Sequence, residues 1–183
     1  MKKLILPILM MAGIVALSNI LVAYPLPYQL AGIDLSNWLT FGAFTYPLAF
    51  LVTDLTNRSL GAKAARMVII PGFVTGIALS LLLADFRIAL ASGTAFMLAQ
   101  LLDVSLFNRM RAMDWWKAPL ISSASASVLD TGLFFSLAFA GTAVPWVGLA
   151  IGDLMVKLAM ALILLPCFYW LSQLIGARQA HQA

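Results

Sequence analysis

Charge is what this chain has least of. Only 10% of its 183 residues are charged, against roughly 25% in an ordinary soluble protein. The acids are of one kind, seven Asp and no Glu. A single cysteine, Cys167, excludes an intrachain disulfide and leaves the redox compartment undefined. Its position in the last apolar run assigns it to packing. A single histidine, His181, in the polar tail excludes a histidine-based metal site and a Ser-His-Asp triad. A glycine-rich phosphate loop is also missing. No glycine-flanked Asp pair of the kind used by intramembrane aspartic proteases is present either. These absences argue against an enzyme, and the residues call for no cofactor and no metal.

What is there is apolar. Hydrophobic residues make up 63% of the chain, and the mean hydropathy is +1.00. Runs of about twenty apolar residues, the length that spans a bilayer core, recur from end to end with no polar domain between them. The expected fold is all-α: a polytopic membrane protein, a six-transmembrane-helix bundle forming a single membrane domain over residues 1–183. The helices are expected at about 4–24, 38–55, 64–84, 88–107, 118–140 and 146–171. The first begins as a secretory signal peptide does, with Lys2 and Lys3 before an apolar run. Its length exceeds a signal core, and Pro7, Ser18 and Asn19 interrupt it, so it reads as a span. Residues 25–36, with Pro25, Pro27 and Asp34, read as a loop or short re-entrant piece, and Pro47 as a kink.

The net charge of +4 and pI near 9.5 do not indicate nucleic acid, because the basic residues form no continuous patch. They fall between the apolar runs as topology signals. Lys2, Lys3, Arg58, Lys63, Arg66, Arg109, Arg111, Lys117 and Arg178 collect on one side, and Arg87 alone on the other. Lys and Arg favour the cytoplasmic side, so the N-terminus and C-terminus are both expected there. Tyr24, Tyr28, Trp38, Trp115, Trp116, Trp146 and Trp170 sit where interfacial aromatic anchors belong.

Ionisable residues inside a bilayer normally face a cavity or a partner, because insertion at the centre costs roughly 2.5–3.5 kcal/mol. Asp54, Asp103, Asp130 and Asp153 fall on the expected helices 2, 4, 5 and 6. Asp54, Asn57 and Arg58 share a face at the end of helix 2. Gln100 and Asp103 share a face of helix 4, followed by Asn108 and Arg109. Ser123, Ser127, Asp130 and Thr131 form a polar stripe on helix 5. Asp153 and Lys157, at i and i+4, can pair within helix 6. Arg58, Arg109 and Asp54 also fit an interfacial role in which long side chains reach the headgroups. Ser123 and Ser127, like Gly72 and Gly76, fit close helix packing. Asp130, deep in its helix with no cation near it in sequence, is the hardest to explain by structure alone.

Ordered motifs carry a family resemblance. The run Trp38-Leu39-Thr40-Phe41-Gly42-Ala43-Phe44-Thr45-Tyr46-Pro47 leads to Phe50-Leu51-Val52-Thr53-Asp54-Leu55-Thr56. Gly61-Ala62, Ala65-Arg66, Gln100-Leu101-Leu102-Asp103-Val104 and Phe107-Asn108-Arg109 come next. Trp115-Trp116, Ala118-Pro119, Asp130-Thr131 and Asp153 with Lys157 complete the order, with Ser18-Asn19 upstream. Together they resemble the queuosine precursor transporters of the vitamin uptake transporter family over nearly the whole chain. The connections between helices 3 and 4 and between helices 5 and 6 are shorter than that family's.

The resemblance implies a multi-pass protein of the cell inner membrane that imports the 7-deazaguanines preQ0 and preQ1, with the lipid bilayer as its surroundings. A homo-oligomer is compatible with it. Such a base presents N–H donors that a carboxylate accepts in pairs, and a carbonyl that Asn, Gln or Lys can donate to. Asp130 or Asp54 is the expected reader of that edge, with Asn19 and Gln100 as polar contacts and Asp103 among the binding residues. Asp153 and Lys157 are expected to tune the site or couple it to protons. Phe44, Tyr46 and Phe107 could stack on the ring, and Arg58, Asn108 and Arg109 are polar groups at the cytoplasmic end. Two other readings fit the same residues: a substrate-binding membrane subunit that depends on a separate ATPase module, and a non-transporting structural membrane protein.

Overall fold

Long apolar stretches with little to interrupt them fold as helices, because in a lipid environment every backbone N–H and C=O must be satisfied within its own segment. In the computed structural model of the chain, residues 2–22, 24–30, 33–144 and 146–180 are described. The long helices are α1 (Lys2–Leu21), α4 (Ala62–Leu83), α5 (Phe86–Met110), α6 (Lys117–Phe139) and α7 (Trp146–Ile163), all five long and apolar enough to cross a membrane. Shorter helices are α2 (Gly42–Thr45), α3 (Pro47–Leu60) and α8 (Leu165–Ala180). Among the described residues the only strands are two of two residues each, β1 (Gln29–Leu30) and β2 (Ile33–Asp34), which pair antiparallel.

The segment expected as one helix over 38–55 is built differently. Residues 35–41 form a short 3-10 turn and a connection, and the helix comes in two pieces, α2 and α3. Pro47 explains the joint: it has no N–H to give to the carbonyl four residues back, so it opens α3 as a first-turn proline. The two pieces together run from 42 to 60, about 28 Å at 1.5 Å per residue. A second joint replaces the single helix expected over 146–171. Pro166 lies at the start of α8, and the helical path breaks at Leu164. Within the loop expected over 25–36, β1 and β2 are the paired part, and residues 31–32 lie outside the described residues. Asp34 caps the turn that follows by accepting from the Ser36 N–H at 3.0 Å. Bonding from the Ser36 side chain and backbone holds the Asp34 carboxyl below its usual range.

Packing follows small residues. α1 and α4 run parallel in a fixed register: Met11 lies against Gly72, Val15 against Gly76, and the Ser80 hydroxyl donates to Asn19 Oδ1 at 2.8 Å. A Cβ at Gly72 would come within 2.6 Å of Met11, and one at Gly76 within 3.1 Å of Val15. The two glycines therefore serve close helix approach, as small residues do between membrane helices. Gly61, at φ 89° and ψ 167°, turns α3 directly into α4, a backbone conformation that residues with a Cβ avoid. Met11, Val15, Val52, Val68, Ile69, Phe96 and Val104 fill the space between α1, α3, α4 and α5.

Arginines finish the helix ends. The last carbonyls of a helix have no partner inside it and carry partial negative charge. Arg58 donates to the Arg111 carbonyl at 3.0 Å, and Arg111 donates to the Arg58 carbonyl at 2.6 Å, tying the ends of α3 and α5 together. At the opposite end of the bundle Arg87 donates to the carbonyls of Leu137 and Ala140 at the end of α6.

The distribution of polarity is inverted relative to a soluble protein. Ile5, Leu6, Leu9, Leu82, Val147, Met155, Leu162 and Ile163 face outward, while Asp54, Asp103, Asp130 and Lys157 are buried. Cys167, expected to pack, lies on the exposed face of α8. The helix carries Phe168 inward instead, so the adjacent position turns out.

Candidate solute-binding cavity

The polar stripe of α6 faces the interior and feeds two charged clusters. In the first, Asp130 and Thr131 meet α7. Lys157 Nζ lies 2.7 Å from Asp130 Oδ2, 2.5 Å from Asp153 Oδ2 and 3.2 Å from Thr131 Oγ1. Thr131 donates to Asp153 Oδ2 at 2.8 Å, and the Tyr46 hydroxyl donates to Asp130 Oδ1 at 3.1 Å. The Lys157 ammonium also stands 5.1 Å from the centre of the Tyr46 ring, within cation–π range. Asp130 thus has its cation, supplied by the next helix rather than by its own. The cluster sets two carboxyl groups against one ammonium.

That cluster forms the floor of a cavity of about 590 Å³, within the size range of small-molecule sites. Its walls come from α1 (Ser18, Asn19), the segment 38–43, the end of α4 (Ser80, Leu83), the start of α5 (Ile88, Ser92) and the aromatic end of α6. It opens at the end of the bundle where Arg87 lies, past the exposed Tyr24 and Trp38. Trp38 sits over α7: a Cβ at Gly148 would touch its ring at 3.5 Å, and one at Gly152 would come within 2.6 Å of its carbonyl oxygen. The walls are mostly apolar and the floor is charged, so a bound molecule would be oriented by its polar edge.

The second cluster lies toward the end with most of the basic residues. Asp54 accepts from Ser123 at 3.2 Å and from Ser122 at 3.5 Å. Asp103 is buried in the same group. Thr53 lies 2.9 Å from Gln100 Oε1 and 3.5 Å from Asp103 Oδ2. Asn57 donates to the Val104 carbonyl at 3.0 Å. None of Asp54, Gln100 and Asp103 lines the large cavity. A void of about 20 Å³ separates Asp54 from Lys157 and is bordered by Ser123, Ser127 and Phe50.

Of the residues singled out in the sequence, Asn19, Tyr46, Asp130, Asp153 and Lys157 meet at one cavity, and Asp54, Gln100 and Asp103 form a separate buried group. Phe107 is not available for stacking on a ligand. It is fully buried in the core against Phe168, ring centres 5.9 Å apart. Phe44 is partly exposed and stands off the cavity wall. Arg58 is engaged with Arg111, and Asn108 and Arg109 are exposed at the end of α5. Sequence reasoning missed Ser80, Trp38, Phe134, Phe135 and Phe139 as cavity residues. The aromatic grouping of Phe134, Phe135 and Phe139 at the end of α6 was the available signal.

A helical membrane protein with ionic groups buried at the floor of an open, mostly apolar cavity belongs to the class that binds a solute within the bilayer. Comparison with known proteins narrows the class. The chain matches the family described as putative vitamin uptake transporter over residues 40–86 and 80–171. It is 37% identical to the probable queuosine precursor transporter of Haemophilus influenzae, over 82% of this chain and 78% of that protein. It is 35% identical to the queuosine precursor transporter of Escherichia coli, over 93% and 86%. A probable queuosine precursor transporter of Bacillus subtilis is 27% identical over 74% and 72%. The chain belongs to this vitamin uptake transporter family. No solved structure matches it.

Proposed function

We propose that the chain imports queuosine precursors, the 7-deazaguanine bases preQ0 and preQ1, across the inner membrane, and that the cavity floored by Asp130, Asp153 and Lys157 receives the base. The observation that carries this reading is the pairing of Asp130 with Lys157 at 2.7 Å beneath a cavity of about 590 Å³. A guanine-like edge has two neighbouring N–H donors and a carbonyl. A carboxylate next to an ammonium offers the complementary acceptors and donor. Asp130 and Asp153 read the donors, Lys157 faces the carbonyl, and Asn19 contacts the far side of the ring. The aromatic wall of Phe134, Phe135 and Phe139 offers stacking surfaces. A floor with two carboxyl groups to one ammonium also suits preQ1, whose aminomethyl group is cationic.

The same reading assigns six spans, counting α2 with α3 as one and α7 with α8 as one, in a single membrane domain. The basic end faces the cytoplasm with both termini, so the cavity opens outward. The close similarity to named transporters favours this over an ATPase-dependent binding subunit.

Uptake of labelled preQ1 by cells unable to make it tests the assignment. Expression of the chain should restore uptake, and Asp130→Asn should reduce it by at least tenfold. Unchanged uptake by Asp130→Asn at equal protein level would falsify the role given to that residue.

A further inference from the structure

The Asp54–Asp103 group is not part of the cavity, and its chemistry asks for a ligand. Asp54 is 2% exposed and Asp103 0%. Among the described residues no cation lies within ion-pairing distance of either. Hydroxyl donors are supplied by Thr53, Ser122 and Ser123, but these are neutral. Among the described residues, three polar atoms at 0% exposed positions have no partner: Asp103 Oδ1, Gln100 Nε2 and Asn57 Oδ1. Gln100 is held beside the pair, because the Thr53 hydroxyl that reaches its Oε1 also approaches Asp103.

Two carboxyl groups buried near each other in a dry interior with no cation beside them repel when both are ionised, and a proton on one of them removes one charge and supplies a donor. We propose that Asp54 and Asp103 form a proton-binding site that drives transport, separate from the cavity that holds the base. This rests on the transport reading for its role, though not for its chemistry. The proton bonds to Asp103 Oδ1, the carboxyl oxygen without a hydrogen-bond partner among the described residues. On release it leaves as a hydrated proton, and the pair regains its second negative charge. Gln100 Nε2 is then a free donor to the ionised carboxylate.

The two sites are placed to sense each other. Asp54 and Lys157 border the same 20 Å³ void, which is room for one water. From α7 it is Lys157 that borders this void, while Asp153 is bonded to Lys157 and Thr131. On α3, Arg58 is occupied by the Arg111 carbonyl. On α5 Arg109, and on α4 Lys63 and Arg66, are exposed. On α6 the nearest acid is Asp130, already bonded to Lys157. A second negative charge at Asp54 therefore draws on the ammonium that holds the cavity floor, which links proton release to the hold on the base.

Full-length protein in proteoliposomes, with labelled preQ1 as probe, tests this. An inwardly directed proton gradient should raise accumulation in the wild type several-fold above equilibration. Asp103→Asn and Asp54→Asn should each abolish that gain, while exchange of label across equal pH stays within about twofold. Gradient-driven accumulation by Asp103→Asn, or accumulation driven by sodium at equal pH, overturns the proposal. Infrared difference spectra of the purified wild type decide the chemistry without transport. A protonated-carboxyl carbonyl band should appear and vanish with pH, and Asp103→Asn should lose it. Absence of any titrating band in the wild type overturns the site even if the variants do not fold. Loss of all preQ1 movement with the band intact removes the transport reading and leaves the proton site standing.

Discussion

Lys157 on α7 and Asp130 on α6 meet at 2.7 Å across 27 residues of sequence. Asp153 shares the same ammonium. One cation therefore serves two carboxyl groups, and its loss leaves each with only a neutral hydroxyl donor, Tyr46 for Asp130 and Thr131 for Asp153.

Lys157→Met should be among the most damaging substitutions at the cavity. Removing one member of a buried ion pair leaves an uncompensated charge, at a cost of about 3–5 kcal/mol. Unfolding of the purified protein in mixed detergent micelles should show this loss. The double variant Lys157→Met with Asp130→Asn should recover part of it.

Tyr46→Phe isolates one hydrogen bond. The ring keeps its edge contacts with Phe50 and Phe96, and only the bond to Asp130 disappears. A hydrogen bond to a charged group is worth about 1.5–3 kcal/mol, so preQ1 affinity should fall about tenfold or more. Calorimetric titration measures it. A melting temperature lowered in step with affinity would mean that Tyr46 acts through folding.

Glycines at similar crowding should differ in tolerance. At both Gly72 and Gly152 an added Cβ meets an atom at 2.6 Å. The neighbour of Gly72 is the flexible Met11 side chain, whereas that of Gly152 is the Trp38 backbone carbonyl. Gly72→Ala should therefore leave uptake near normal, and Gly152→Ala should lower it several-fold, by dislodging the segment at the cavity mouth. Equal uptake by the two variants would show that the Trp38 seat has no part in transport.

The orientation can be read by labelling. In a Cys167→Ser background, Ala84→Cys should react with a membrane-impermeant maleimide on intact cells. Ala112→Cys should react only after lysis. The reverse pattern would invert the topology.

Phe107→Ala should cost about 3–5 kcal/mol of stability, as large-to-small core substitutions do. Affinity for preQ1 in the folded fraction should stay unchanged. Phe44→Ala should be nearly silent in the same unfolding assay.

Local signals were legible in the sequence where one helix face carried them. The stripe Ser123, Ser127, Asp130 and Thr131 faces inward because its 3.6-residue period survives folding unchanged. Gly72 and Gly76 marked a helix contact for the same reason. What could not be read was which stripe meets which. Nothing within α6 reveals that Lys157, 27 residues on, completes Asp130. Asp54 and Asp103, similar to Asp130 as buried acids, gave no sign of forming a group apart. That separation depends on how α3, α5 and α6 pack around Phe50. Phe107 looked like a stacking residue because an aromatic beside polar residues at a helix end resembles a wall, until packing places Phe168 against it.

Gly148 and Gly152, on which Trp38 rests, and Asp153 and Lys157, which close the cavity below, are all carried by α7. From Gly152 to Lys157 is about 7.5 Å along the axis at 1.5 Å per residue. Mouth and floor are thus two marks on one rod. A slide or tilt of that rod shifts both together, so a solute gripped at the bottom can loosen the entrance above it with no relay of loops in between.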